Sequence, residues 1–332
     1  MNNNWGGDPL RPNYGGDPAY VQNEMLEVNA LLGLPAHGGH LALHWYEWDT
    51  LGYALGSNHT ECEPTVGPPC GFDTHYPNYF PARTGCSDAI KAMQDAGMRV
   101  IPYINGQLYD TRIPRWEKDN ASAASQKFLA EETMATDEKQ PALTPHLEHF
   151  DGITSAVICP HTDYWRGVMR DAILKIVNEV GFDGCCEYMY DCLIRGLLFT
   201  TTLLPADVDQ VGNGEQRNCA DPSHNHAING GSFWAEAFYN IMGDVRAGVD
   251  RPSMFMTEGI VEEVSGAGFD IMLGLSWTEE PLWHSIYGGW SYATGHATAG
   301  SPLAGGLLTQ LTDQFMAGGT SEFLPPRSAQ IG

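Results

Sequence analysis

The chain has 332 residues, 42% hydrophobic and 11% aromatic with 17% charged, a composition that supplies a sizeable core and excludes a disordered polymer. Its 41 acids oppose 17 bases, for a formal charge of −24 and a pI near 4.6. Such a surface repels polyanions, so neither nucleic acid nor an anionic membrane is expected as a partner, and no run approaches the roughly 18 apolar residues of a membrane span.

In chain order, the start MNNNWGGDPLRPNYGGDP has no basic opening and no apolar core, so it is not read as a signal peptide. Tyr20 to Leu32 then reads as a helix and His40 to Trp48 (HLALHWYEW) as a strand ending in aromatics. A Gly/Pro/Cys-rich loop runs to about Arg83, and after it Asp88 to Ala96 has helical apolar spacing. Met98 to Asn105 (MRVIPYIN) is rich in strand formers and ends on a polar residue. A polar helix is expected near Ala121 to Thr136, and a third apolar strand at Thr154 to Cys159 (TSAVIC). Asp163 to Val180 is the clearest amphipathic helix, capped by an acid and stopped by Gly181. Phe182 should open a fourth strand. Later come a helix at Gly231 to Ala247, strands at Ser253 to Thr257, Phe269 to Trp277 and Leu282 to Tyr287, and a helix at Gly306 to Met316.

Strands alternating with helices imply a parallel sheet with right-handed crossovers, and seven or eight such units point to an α/β fold of the (β/α)8 TIM-barrel type. The expected organisation is a leader and N-terminal helix over 1–36, a barrel over 37–320 and a tail over 321–332. Within the barrel, 185–206 stands out as an anomalous insertion that could leave strand four incomplete or distorted. The run CCEYMYDCLIRGLLFTTTLLPA follows neither helix nor strand period. Three readings fit it: a genuine insertion, a strand at Cys185 to Tyr190 with a long excursion after it, or translated intron sequence.

Eight cysteines are too few for a disulfide scaffold in a chain of this length, and no CxxC pair occurs. Cys62, Cys70 and Cys86 share a loop where one bridge is plausible, and the sequons at Asn58 and Asn120 would suit a secreted protein. The compartment and oligomeric state are not fixed by these features.

Chemistry-bearing residues gather in two places, VDQVGNGEQRNCADPSHNHAINGGSFW (Val208 to Trp234) and MTEGIVEE (Met256 to Glu263). Each sets a carboxylate, Asp209 or Glu258, just after a short apolar run. In a barrel such strand ends form the active face. GFDG, VDQ, CADPSHNH, GGSFW, TEGIVEE and Tyr287-Gly288-Gly289 together resemble a family of uncharacterised, glycosidase-like TIM barrels, in the broad clan of the α-galactosidases and endo-α-N-acetylgalactosaminidases. The likeness spans roughly Leu41 to Gly289. It departs where the anomalous run replaces the Val-Tyr expected before Asp209-Gln210, where Asn229 stands in a glycine triplet, and after Tyr292.

The resemblance implies a glycoside hydrolase with Asp209 as nucleophile and Glu258 as acid/base. Parallel strands about 5 Å apart bring such a pair within reach of the separation of roughly 5–5.5 Å that retaining enzymes use. Burial beside aromatics would keep Glu258 protonated. Asp207 shares the strand face of Asp209, and Glu187 and Asp191 are alternatives should strand four lie at Cys185 to Asp191. Trp45, Trp48, Tyr103 and Trp277 suit stacking on sugar faces, Asn105 suits a sugar hydroxyl, and His224, His226 and Glu262 complete the candidate binding set. Core packing is the competing role for the aromatics.

A different chemistry is open to His224 and His226. With Cys219 they could serve a metal-dependent hydrolase, although spacing identifies no further ligand. A catalytically dead carbohydrate-binding barrel is the remaining alternative. The expectation is a carbohydrate substrate, no metal and no cofactor. The HxxH at His37 to His40 reads as structural.

Overall fold

A computed structural model describes residues 17–33, 41–45, 48–49, 75–129, 143–150, 153–188, 219–227, 233–258, 268–274 and 292–295. Helix α1 (Pro18–Leu32) opens on Asp17, whose carboxylate accepts from the N–H groups of Ala19 and Tyr20, and ends at left-handed Gly33. Its buried residues Val21, Met25 and Asn29 recur every fourth position, and Asn29 Nδ2 donates to Ala96 O at the end of the next helix.

Strand β1 (Ala42–Trp45), helix α2 (Cys86–Asp95) and strand β2 (Arg99–Asn105) follow as a parallel β-α-β unit. After them come β3 (Leu108–Asp110), α3 (Pro114–Lys118), a 3-10 turn at Ala121–Ala124, β4 (Lys127–Leu129), β5 (Leu143–Pro145), β6 (Leu147–Phe150) and β7 (Ile153–Val157). Helix α4 (Asp163–Lys175) runs on as a π-helical turn to left-handed Gly181. Strand β8 (Gly184–Tyr188), a 3-10 turn at Pro222–His224, helix α5 (Phe233–Gly248), and strands β9 (Met254–Glu258), β10 (Ile271–Gly274) and β11 (Tyr292–Gly295) complete the described elements.

Six strands form one parallel sheet in the order β1-β2-β8-β9-β10-β11. This matches the α/β class expected from the alternating pattern, with β1 and β11 as its edges among the described residues. The strand anticipated at Thr154 to Cys159 lies elsewhere. It is β7, the centre of an antiparallel sheet β3-β7-β6. Phe150 pairs with Ile153, and the intervening Asp151-Gly152 is a strong hairpin dipeptide, so β7 pairs locally with β6 instead of joining the parallel sheet. The polar helix anticipated from Ala121 to Thr136 is a short 3-10 turn followed by strand β4, which pairs antiparallel with β5.

Strand β8 occupies Gly184–Tyr188 and lies between β2 and β9, so the second half of GFDG starts a strand within the sheet. Gly184 is required there: a Cβ on it would stand 1.5 Å from the Met254 carbonyl oxygen of the neighbouring strand. One device fixes register at two strand starts. Asp183 N–H donates to Val100 O while its carboxylate accepts from Val100 N–H, and Asp270 makes the same reciprocal pair with Phe255. Both carboxylates also take an arginine, Arg99 on Asp183 and Arg246 on Asp270.

The core packs between sheet and helices, with Trp48, Trp165, Tyr79, Tyr109, Phe182, Phe238 and Phe255 all under 2% exposed. Its buried indole N–H groups are matched: Trp48 Nε1 donates to Tyr103 O and Trp165 Nε1 to Gly106 O. Ile101, Met256 and Ile271 form a separate small cluster. Among the described residues no helix is long and apolar enough to cross a membrane.

Candidate functional site

At the carboxyl-terminal edge of the parallel sheet the last residues of several strands come into register. Its register aligns Asn105 with Tyr188, and pairs Glu187 with Thr257 and Leu273 with Glu258. Asn105, Tyr188, Glu258 and Leu273 therefore stand on one row. Glu258 is the last residue of β9, as the apolar run ending in Thr-Glu predicted.

Asn105 is fully buried. Its Oδ1 accepts from the N–H groups of Gln107 and Leu108, which closes the turn after β2. Its Nδ2 has no hydrogen-bond acceptor among the described residues, so one amide donor is left over at the strand end. Tyr103, two residues earlier on the same face, is 3% exposed and packs against His44, with ring centroids 5.9 Å apart.

Trp45 and Trp48 lie in the hydrophobic core. The Trp45 ring meets Phe182 edge-on, and Trp48 stacks on Tyr79 with edge contacts to Phe80 and Phe182. Asp209, Glu262 and Trp277, with the loop cysteines 62 and 70, the HxxH at 37–40, the strand expected at 282–287 and the helix expected at 306–316, lie outside the described residues.

A second concentration of chemistry surrounds 219–227. Here the structure adds to the sequence motif a residue from far upstream: Cys159 joins Cys219, His224 and His226, with one ligand-type atom from each lying within 4.8 Å of all the others. Cys159 and Cys219 are fully buried reduced thiols, His224 is 5% exposed and His226 half-buried. Cys219 Sγ lies 3.2 Å from His224 Nδ1 and accepts from Lys127 N–H. His224 Nε2 is 2.7 Å from Ala123 O. A carbonyl can only accept, so Nε2 carries the proton and Nδ1 faces the sulfur.

Electrostatics in this cluster favour a thiolate. The hydrogen bond from the Cys159 thiol, against the opposing effect of burial and with help from His224, holds Cys219 well below the ordinary thiol range; the same contact, with burial, pushes Cys159 up. Burial disfavours charge on His224, yet the Cys219 sulfur and Ala123 carbonyl outweigh it and raise its pKa. Burial also works against the Asp221 carboxylate, but Lys127 Nζ at 2.6 Å and the Ser223 hydroxyl and N–H hold it below the usual carboxylate range. Sequence spacing linked Cys219 to the two histidines; Cys159, on another element, carried no such signal.

Residues 68–195 and 206–287 match the family described as Domain of unknown function (DUF6259). The break between the matched stretches falls inside the run 185–206 whose composition stood out. The chain is 27% identical over 296 residues to "Putative glycoside hydrolase" of Bacteroides thetaiotaomicron, covering 86% of this chain and 36% of that protein. It is 24% identical over 327 residues to "Putative glycoside hydrolase 22789" of Monosiga brevicollis, covering 91% of this chain and 23% of that one. The chain thus spans well under half the length of either relative. Among solved structures it resembles a quadruple mutant of alpha-N-acetylgalactosaminidase NagBb from Bifidobacterium bifidum, with a TM-score of 0.52, 13% identity and coverage of 87% of this chain and 39% of that one. At that identity the likeness is one of fold.

Proposed function

From the premise that this chain belongs to the DUF6259 family, we propose that it is the barrel portion of a glycoside hydrolase, cleaving a glycosidic bond with retention through Asp209 and Glu258. The six consecutive parallel strands close, in this reading, into a (β/α)8 barrel. The order of the strands, the crossover through α2 and the fold likeness to NagBb support that closure.

The observation that carries the reading is the position of Glu258 at the end of β9, on the row that holds Asn105 two strands away. Strand alternation sets position 258 on the face of position 256, and Met256 packs with Ile101 and Ile271 in a small cluster separate from the main core. Glu258 is assigned as general acid, protonating the departing oxygen. Asp209 attacks the anomeric carbon, forming a glycosyl ester that water then hydrolyses with Glu258 as base. Asn105 contributes its remaining Nδ2 donor to a sugar hydroxyl. The names of the two curated relatives agree with carbohydrate as the substrate class.

Trapping the glycosyl ester tests this directly. Aryl α- and β-glycosides are screened for turnover, and the active one is converted to its 2-deoxy-2-fluoro analogue for peptide mapping by mass spectrometry. Labelling of Asp209 is expected. A label on Glu187 or Asp191 would move the nucleophile to the β8 segment, and inversion at the anomeric carbon would remove the covalent mechanism altogether.

A further inference from the structure

We propose that Cys159, Cys219, His224 and His226 bind one Zn²⁺ in a closed, structural site. Four ligand atoms within 4.8 Å of one another need only a small contraction to reach the edges of about 3.3–3.8 Å in a zinc tetrahedron with two sulfurs and two nitrogens. Two thiolates with two imidazoles are a donor set suited to zinc, while oxygen-preferring cations find no carboxylate among the four.

The surroundings are those of a metal site in three respects. Both sulfurs are wholly buried and reduced. The Lys127 N–H donates to Cys219 Sγ, which is how a thiolate ligand is stabilised. His224 directs its protonated Nε2 at the Ala123 carbonyl, the outer-sphere bond that orients a ligating imidazole and leaves Nδ1 for the ion. His226 Nδ1 lies 3.1 Å from Ala227 O, so its proton sits there and Nε2 offers the lone pair.

Four protein ligands fill the tetrahedron and leave no position for water, so the ion holds structure and activates nothing. It would join the end of the β7 strand segment to the 219–227 segment, beside the Ala121–Ala124 turn and β4. The 219–227 segment is thereby fixed to the chain just before helix α4. Binding releases the remaining thiol proton to solvent as both sulfurs coordinate.

Elemental analysis of the full chain, purified without chelator from zinc-containing medium, is expected to give about one zinc per chain. Replacement by Co²⁺ should give thiolate-to-cobalt charge transfer and the intense visible bands of a tetrahedral site. Cys219→Ser should abolish both signals. Should that variant fail to fold, half-buried His226→Ala, checked by circular dichroism, should bind Co²⁺ at least about tenfold more weakly. A wild-type chain without stoichiometric zinc and without cobalt charge transfer would overturn the site. So would recovery of Cys159 and Cys219 as a disulfide, or His226→Ala with undiminished affinity.

Discussion

Tyr79 grips Asn105 by both of its backbone groups: the phenol donates to Asn105 O at 2.9 Å and accepts from Asn105 N–H at 3.0 Å. Ladder bonding in β2 gives way here to side-chain bonding, and the strand ends with its last residue fixed in place. Tyr79→Phe removes the hydroxyl and leaves two buried backbone groups without it. A loss of about 1–3 kcal/mol is expected in urea unfolding, with the denaturant slope unchanged. An unshifted midpoint would show that water or a neighbour takes over both bonds.

Gly184→Ala should be among the most damaging single substitutions in the sheet. The new methyl would overlap Met254 O, a backbone atom that cannot rotate away, so β8 and β9 must part. The expected loss is about 3 kcal/mol or more, at the upper end of overpacking effects. Thermal and chemical unfolding measure it, and a change below about 1 kcal/mol would mean that the strands separate without penalty.

His146 gives stability a pH dependence. Desolvation lowers its pKa from 6.5 to about 4 at a site 8% exposed. Because the folded pKa lies below the unfolded one, the neutral ring's contribution is fully present above about pH 6.5 and is lost as the pH falls toward 4, where the unfolded chain takes up the proton first. A shift of this size is worth about 3 kcal/mol over that window. Unfolding of wild type and His146→Gln at pH 7 and pH 5 is expected to show a smaller pH difference in the variant. Equal differences would assign the slope to other groups.

The role proposed for Glu258 predicts a dependence on leaving group. Glu258→Gln should slow glycosides of basic alcohols by about 10²–10⁴-fold, since they leave only when protonated, while glycosides of acidic phenols lose much less. Equal losses across a leaving-group series would mean that Glu258 does not protonate the departing oxygen.

The parallel sheet was legible because its strands are apolar runs separated by helical spacing, and β2, β8, β9 and β10 fall where Met98 to Asn105, Phe182, Ser253 to Thr257 and Phe269 to Trp277 placed them. The antiparallel sheet was not, because the run at Thr154 to Cys159 has the same composition as a barrel strand; only Asp151-Gly152 distinguishes a hairpin partner. Local pattern also cannot say which aromatics face inward. Trp45 and Trp48 have the composition of a sugar platform, yet their rings pack against Phe182 and Tyr79. In the Cys/His cluster, Cys219, His224 and His226 share one segment and could be grouped by spacing. Cys159 reaches them only through the tertiary fold.

The reciprocal pairs of Asp183 with Val100 and of Asp270 with Phe255 sit at the entrances of β8 and β10, at the end of the sheet opposite Asn105 and Glu258. Alignment of neighbouring strands is thus written into the rim that carries no proposed chemistry. Segments at the far rim can then differ in length and sequence between relatives without letting the strands slide past one another. For an engineer, the opposite rim is the one to leave untouched when loops are exchanged to seek a new specificity.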